Sequence, residues 1–187
     1  MTIFEDSSEE VRKHYERNWG EGYNVYLFDK GPIEKLSPSF LVLEFKPNNE
    51  RNMWTYATLS MSNYDHPYPI ELHVLSSVQD AGLIELLAAT VYYHQNTALL
   101  GLNHTVNFGQ PWQDSSTCTH GFISLPYLDG PKLENLELDN KLVKFYWLIP
   151  VTEQEVEFKM QNGVEALENK FEESNFNYLA PDRSSVV

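Results

Sequence analysis

The chain is short of several things, and each shortage removes a class of explanation. It has one cysteine, Cys118, in 187 residues. That excludes an internal disulfide and any CxxC metal or redox site. No run of eighteen apolar residues occurs, so no membrane-spanning helix is expected. The opening residues, MTIFEDSSEE, lack a basic region followed by an apolar stretch and do not read as a secretory signal. Together these features lead us to expect a cytoplasmic protein. Cations are scarce too: 13 Lys and Arg stand against 27 Asp and Glu, a net charge of −14. Such a surface is repelled by phosphate, so neither nucleic acid nor a membrane is expected as a direct partner. It suits a protein partner with a basic surface, and it also serves solubility.

Catalytic spacing is missing as well. There are six histidines but no HExxH, HxH or CxxC. His94, His104 and His120 could converge only through the fold. Cys118 and His120 would share a face in a strand, yet no third group is placed to orient the histidine. Asp114, Ser115 and Ser116 precede His120 without a GxSxG elbow, and such a cluster suits a turn. Glu153 and Glu155 belong to a helix start, where dipole and capping explain them better than a carboxylate site does. No glycine-rich phosphate loop is present. We therefore expect no catalytic residue, no metal and no cofactor, and no enzyme.

What the chain has is apolar and aromatic mass, 42% and 13% of residues, enough for one packed domain over 1–187. Ser7 and Glu10 have capping-box spacing, with Asp6, Glu9 and Glu10 at the positive end of the dipole. Val11, Tyr15 and Trp19 follow at i, i+4, i+8, and Gly20 is a natural stop. Strands are expected over 23–28, 40–45, 54–61 and 70–75. A core helix is expected over 80–96, with Asp80 at its N-cap and Leu83, Ile84, Leu87, Ala88 and Val91 as its stripe. Shorter strands follow at 104–108 and 122–125. The strand over 142–149 (LVKFYWLI) should end at Pro150. Thr152 and Glu155 have the spacing of a second capping box, opening a helix to about 171. Gly163 interrupts that helix, as if something packed closely there. The order of elements reads as α+β: a mixed or mostly antiparallel sheet packed with about three helices.

The segment HTVNFGQPWQDSSTCTHGFISLPYLDGP (104–131) is irregular, aromatic and polar together. That combination marks a binding loop or a scaffold loop. Trp112, set in a polar turn, is either an exposed anchor or a plug on the sheet. Arg183 near the C-terminus is either solvated or tied to backbone carbonyls or a carboxylate.

Seven blocks, in order, carry a resemblance. They are HYERNWG (14–20), WTYATLSMS (54–62), PIELHVLSS (69–77), HTVNFGQPW (104–112), ISLPYLDGP (123–131), WLIPVTEQE (147–155) and PDRSSVV (181–187). Their ordered combination resembles the bacterial suppressor-of-fused (SUFU) domain family, of the kind classed as immunity proteins in polymorphic toxin systems. The resemblance spans nearly the whole chain and covers a single such domain. It implies a non-enzymatic α+β module that binds another protein: a cognate toxin, in many cases a nuclease, or an endogenous protein held as an extended peptide by strand addition. It supplies no catalytic residues. The acidic run after this segment, with the polar turn inside it, then gives the expected partner contacts: Trp112, Asp114, Asp129, Glu134, Glu137 and Asp139.

Overall fold

The computed structural model describes residues 7–28, 35–63, 67–139 and 141–187. Asp6 lies outside them. Helix α1 (Ser8–Trp19) opens the fold, and the sheet strands follow as β1 (Tyr23–Tyr26), β2 (Leu41–Phe45), β3 (Trp54–Leu59) and β4 (Ile70–Ser76). Next come α2 (Gly82–Asn96), β5 (Thr105–Asn107), β6 (Cys118–Ser124), the short α3 (Pro131–Glu134) and β7 (Asn135–Leu138). The chain closes with β8 (Lys141–Thr152), α4 (Glu153–Asn162) and α5 (Val164–Ser174). No helix among the described residues is long and apolar enough to cross a membrane.

The strands form one mixed sheet in the order β1-β2-β3-β4-β8-β6-β5, with β7 also paired to β8. Among the described residues only β4 and β8 pair in parallel, Ile70 to Lys144 through His73 to Trp147; the other pairs are antiparallel. β8 is long enough to pair with three strands: β4, β7 over its first residues and β6 over its last.

Alternation along each strand sends side chains to opposite faces. Val42, Tyr56, Leu72 and Val74 pack under α2 with Leu83, Leu87 and Val91. Leu43, Phe45, Ala57 and Phe145 face the other way, against Val11, Tyr15 and Trp19 of α1. Farther along that face, Trp147, Ile149, Val151 and Phe122 pack on Leu167 and Phe171 of α5. The sheet is thus covered on both sides, which is why β4 is buried at every residue rather than alternately exposed.

Several local expectations need correction. Ser7 makes no capping bond; its hydroxyl instead donates to Asn63 Oδ1 at 2.7 Å, tying α1 to the turn after β3. Ala81, not Asp80, sits at the N-cap of α2, and Asp80 Oδ1 accepts from the Gly82 N–H just inside the helix. β8 does not stop at Pro150 but runs to Thr152. There Pro150 sits opposite Gly121, and its carbonyl accepts from Arg183 Nη2 at 2.9 Å. β4 pairs with β8 no farther than Trp147, so the missing N–H is not needed. The helix expected over 152–171 is two helices, because Gly163 takes φ +94° and breaks it. Nothing lies within 4 Å of a Cβ built at Gly163. The glycine with no room is Gly121, where a Cβ would fall 2.5 Å from Leu148 Cδ1 and 2.6 Å from Phe108 Cζ.

Candidate partner-binding site

A largely apolar surface cleft lies where the end of β6 and the middle of β8 meet α5 and the C-terminal segment. Its volume is about 380 Å³. Trp147 and Ile149 of β8 and Phe171 of α5 form the floor, each under a tenth exposed. Phe176 and Tyr178 make one wall, and Tyr127 and Leu128 make the rim, 59% and 46% exposed.

Each wall is held by a specific device. Asn175 ends α5 in the left-handed region at φ +46°, turning the chain so that Phe176 stacks on Phe171 at 4.3 Å between ring centroids. Tyr178 then meets Trp147 edge to face at 5.1 Å. The segment beyond is pinned by Arg183, which makes a two-pronged ion pair with Glu155 at 2.7 and 2.8 Å. Glu155 is fully buried and also accepts from the N–H groups of Thr152 and Val186. The Thr152–Glu155 capping box is complete. One carboxylate therefore caps α4 and anchors the chain's end.

The rim is held from below. Asp129 accepts from Arg51 Nη1 at 2.5 Å and from Trp19 Nε1 at 2.8 Å. Arg51 in turn stacks over the Trp19 ring and donates to Thr55. His73 lies 4.0 Å from the same carboxylate, and burial pushes its imidazole down to about 3, so it is neutral. With Asp129 clamped and the Gly130 N–H bonded to the Pro126 carbonyl, the turn holds Tyr127 and Leu128 outward.

The cleft is acidic. Glu168 and Glu172 of α5 line it, and no Lys or Arg does among the described lining residues. Glu168 accepts from the Tyr127 hydroxyl at 3.1 Å, and neither glutamate has a salt-bridge partner among the described residues. Helix α5 carries four glutamates against one lysine.

The six residues expected to contact a partner fall in different places. Trp112 is only 3% exposed and sits in the core beside α2, so it is the plug and not the exposed anchor. Its neighbour Gln113 fastens the turn by donating to Ser76 and Asp80. Asp114 is exposed at the tip of that turn. The Asp129 side chain is 5% exposed and spent on Arg51, so it positions the rim rather than touching a partner. Glu134 is half-buried at the end of α3, while Glu137 in β7 and Asp139 just beyond it are exposed. The structure does not gather these residues into one site. The cleft residues Tyr127, Leu128, Phe176 and Tyr178 were missed. Their signal was a pair of large apolar residues held between Pro126 and Gly130, and two aromatics within the last dozen residues.

The alternatives weighed from sequence also find their places. Cys118 is 1% exposed, and burial raises its thiol above the ordinary range. No hydrogen bond joins it to a histidine among the described residues; His120 Nδ1 pairs with Thr119. His94 Nδ1 accepts from the Leu100 N–H and His14 Nε2 donates to the Leu133 carbonyl. Among the described residues no three His, Cys, Asp or Glu are grouped to hold a metal ion.

The family model for suppressor of fused protein (SUFU) matches residues 37–184. The chain belongs to the suppressor-of-fused family. A SUFU homolog from Neisseria gonorrhoeae superimposes with a TM-score of 0.86 at 32% identity, over 97% of both chains. More distant members share the fold. A chain of the Sufu–Fu complex matches at TM-score 0.72 and 13% identity, over 97% of this chain and 92% of that one. Drosophila Suppressor of Fused matches at 0.57 and 14%, over 79% of this chain but 42% of its own length. No curated protein matches the sequence. The family agrees with the blocks read from the sequence, and the mixed α+β sheet agrees with the order of elements.

Proposed function

We propose that this SUFU chain is a non-enzymatic binding module of the cytoplasm. Its role is immunity: it binds a cognate secreted toxin and occludes the toxin's working surface. The observation that carries the binding reading is the aromatic cleft, built by interlocking anchors and left open at an acidic rim. Sites that bind proteins expose apolar and aromatic side chains inside a polar border. The toxin reading adds the charge of −14. A nuclease must accept phosphate and so tends to be electropositive, and an acidic inhibitor is steered onto it.

The second reading is a regulatory module that sequesters an endogenous protein by strand addition. It is favoured by β1, an edge strand paired only with β2 among the described residues, with Val25 49% exposed. The fold it shares with a chain of the Sufu–Fu complex is in keeping with a protein partner.

The test is to purify any secreted toxin domain encoded beside this chain's gene and mix the two. The expected result is a stoichiometric complex in which the toxin loses its activity. A folded chain that forms no complex would overturn the immunity reading. A locus without any toxin gene would favour the regulatory one.

A further inference from the structure

We propose that the cleft between β6, β8, α5 and the C-terminal segment captures one bulky apolar side chain carried on a lysine- or arginine-rich segment of the partner protein. The inference rests on the reading of the chain as a protein-binding module and specifies what that module recognises. Three observations determine the occupant. The floor of Trp147, Ile149 and Phe171 offers only apolar surface. The volume of about 380 Å³ is at the small end of binding clefts, which run roughly from 300 to 1,000 Å³. That suits a side chain rather than a cofactor. The charges at the edge are Glu168 and Glu172, without a salt-bridge partner, so the flanks of the occupant should be cationic.

A small metabolite fits less well. Such sites hold their ligand with a few placed polar groups, and here Ser124 Oγ and the Tyr127 hydroxyl already turn to Glu168. The rim residues Tyr127 and Leu128 stand exposed beside the opening, where they would cover an inserted side chain as a border that excludes water. Holding them exposed is the task of the buried Arg51–Asp129–Trp19 cluster.

The experiment titrates the full-length, isotope-labelled chain with three amide-capped hexapeptides, KKFLKK, EEFLEE and KKSSKK, followed by amide and indole proton resonances. Trp147 lines the floor, and its indole N–H has no acceptor among the described residues, so its resonance reports occupancy. KKFLKK should shift the Trp147 indole and the Tyr127 and Tyr178 amides saturably. The other two peptides should bind at least about tenfold more weakly, and the gap with EEFLEE should narrow as salt rises. Glu172→Lys and Leu128→Arg alter exposed positions and leave the fold intact. Each should weaken KKFLKK by about tenfold or more. Equal binding of KKFLKK and EEFLEE, or shifts confined to residues outside the cleft, would overturn the proposal.

The same two variants, mixed with the whole toxin, separate this proposal from the function it rests on. Wild-type binding that both variants retain would remove the cleft and leave the module. A chain that takes KKFLKK into the cleft but ignores the toxin would keep the cleft and remove the immunity role.

Discussion

Removing the Arg183 guanidinium would leave the Glu155 carboxylate fully buried with only backbone N–H partners. Breaking a buried pair in this way costs about 3–5 kcal/mol, far more than losing an exposed one. We therefore predict that Arg183→Met lowers the free energy of unfolding by that amount in urea denaturation. An effect under about 1 kcal/mol would mean the pair is solvated. The sequence left Arg183 open between solvent and a carboxylate, because the choice depends on where residues 28 apart meet. Glu71 went unnoticed for the same reason. It is fully buried in β4, accepts from Thr58 Oγ1, Ser62 Oγ and the Ser62 N–H, and burial raises it to about 7. A carboxyl raised in the folded state holds its proton more tightly there than when unfolded. The stability this confers is complete below the unfolded value of 4.5 and is lost as pH rises through about 7. Wild-type Tm should thus fall between pH 5.5 and 8, and Glu71→Gln should flatten that slope and raise Tm at pH 8. An unchanged slope would place Glu71 ionised throughout.

Most elements were legible because their periodicity is strong. FLVLEF, IELHVL and LVKFYWLI became β2, β4 and β8, and the stripe from Leu83 to Val91 became the inner face of α2. The Thr152–Glu155 box was legible because both partners lie within four residues. Misreadings came where a distant neighbour decides. Ser7 gave up its cap for Asn63, 56 residues away. Gly163, whose place within a helical pattern suggests a close approach, is a break with positive φ. We predict that Gly163→Ala destabilises the fold by about 1–2 kcal/mol through backbone strain alone, since no atom crowds the position. Gly121→Ala should cost more, because Leu148 and Phe108 must move. β7 was missed because its four residues sit inside an acidic run with weak alternation. The β7–β8 hairpin now presents Glu137 and Asp139 to solvent near half-buried Glu134. If that hairpin steers a basic partner, reversing Glu134 and Glu137 to Lys should slow association and reduce its salt dependence, with little change in dissociation. Stopped-flow mixing with the toxin reads both rates, and unchanged association would remove the hairpin from the encounter.

For the whole molecule, ordered blocks named the family where no single motif could, and the mixed sheet followed from the order of elements. The candidate cleft was less legible. The two ends of segment 104–131 have different settings. Its polar turn is fastened down by Trp112 and Gln113, while its far end supplies the rim of the cleft. The rest of the cleft comes from α5 and the last dozen residues, which approach β8 only in the folded chain. Floor, rim and acidic edge are thus drawn from three separate stretches, a juxtaposition that no local pattern carries. We propose that this acidic SUFU module protects a cell by binding a toxin. Growth of cells expressing any toxin encoded beside this chain's gene, with and without this chain, tests it most directly. The wild-type chain should restore growth, and Leu128→Arg with Glu172→Lys, folded and equally abundant, should not. Cells that die equally with and without the soluble wild-type chain would contradict it.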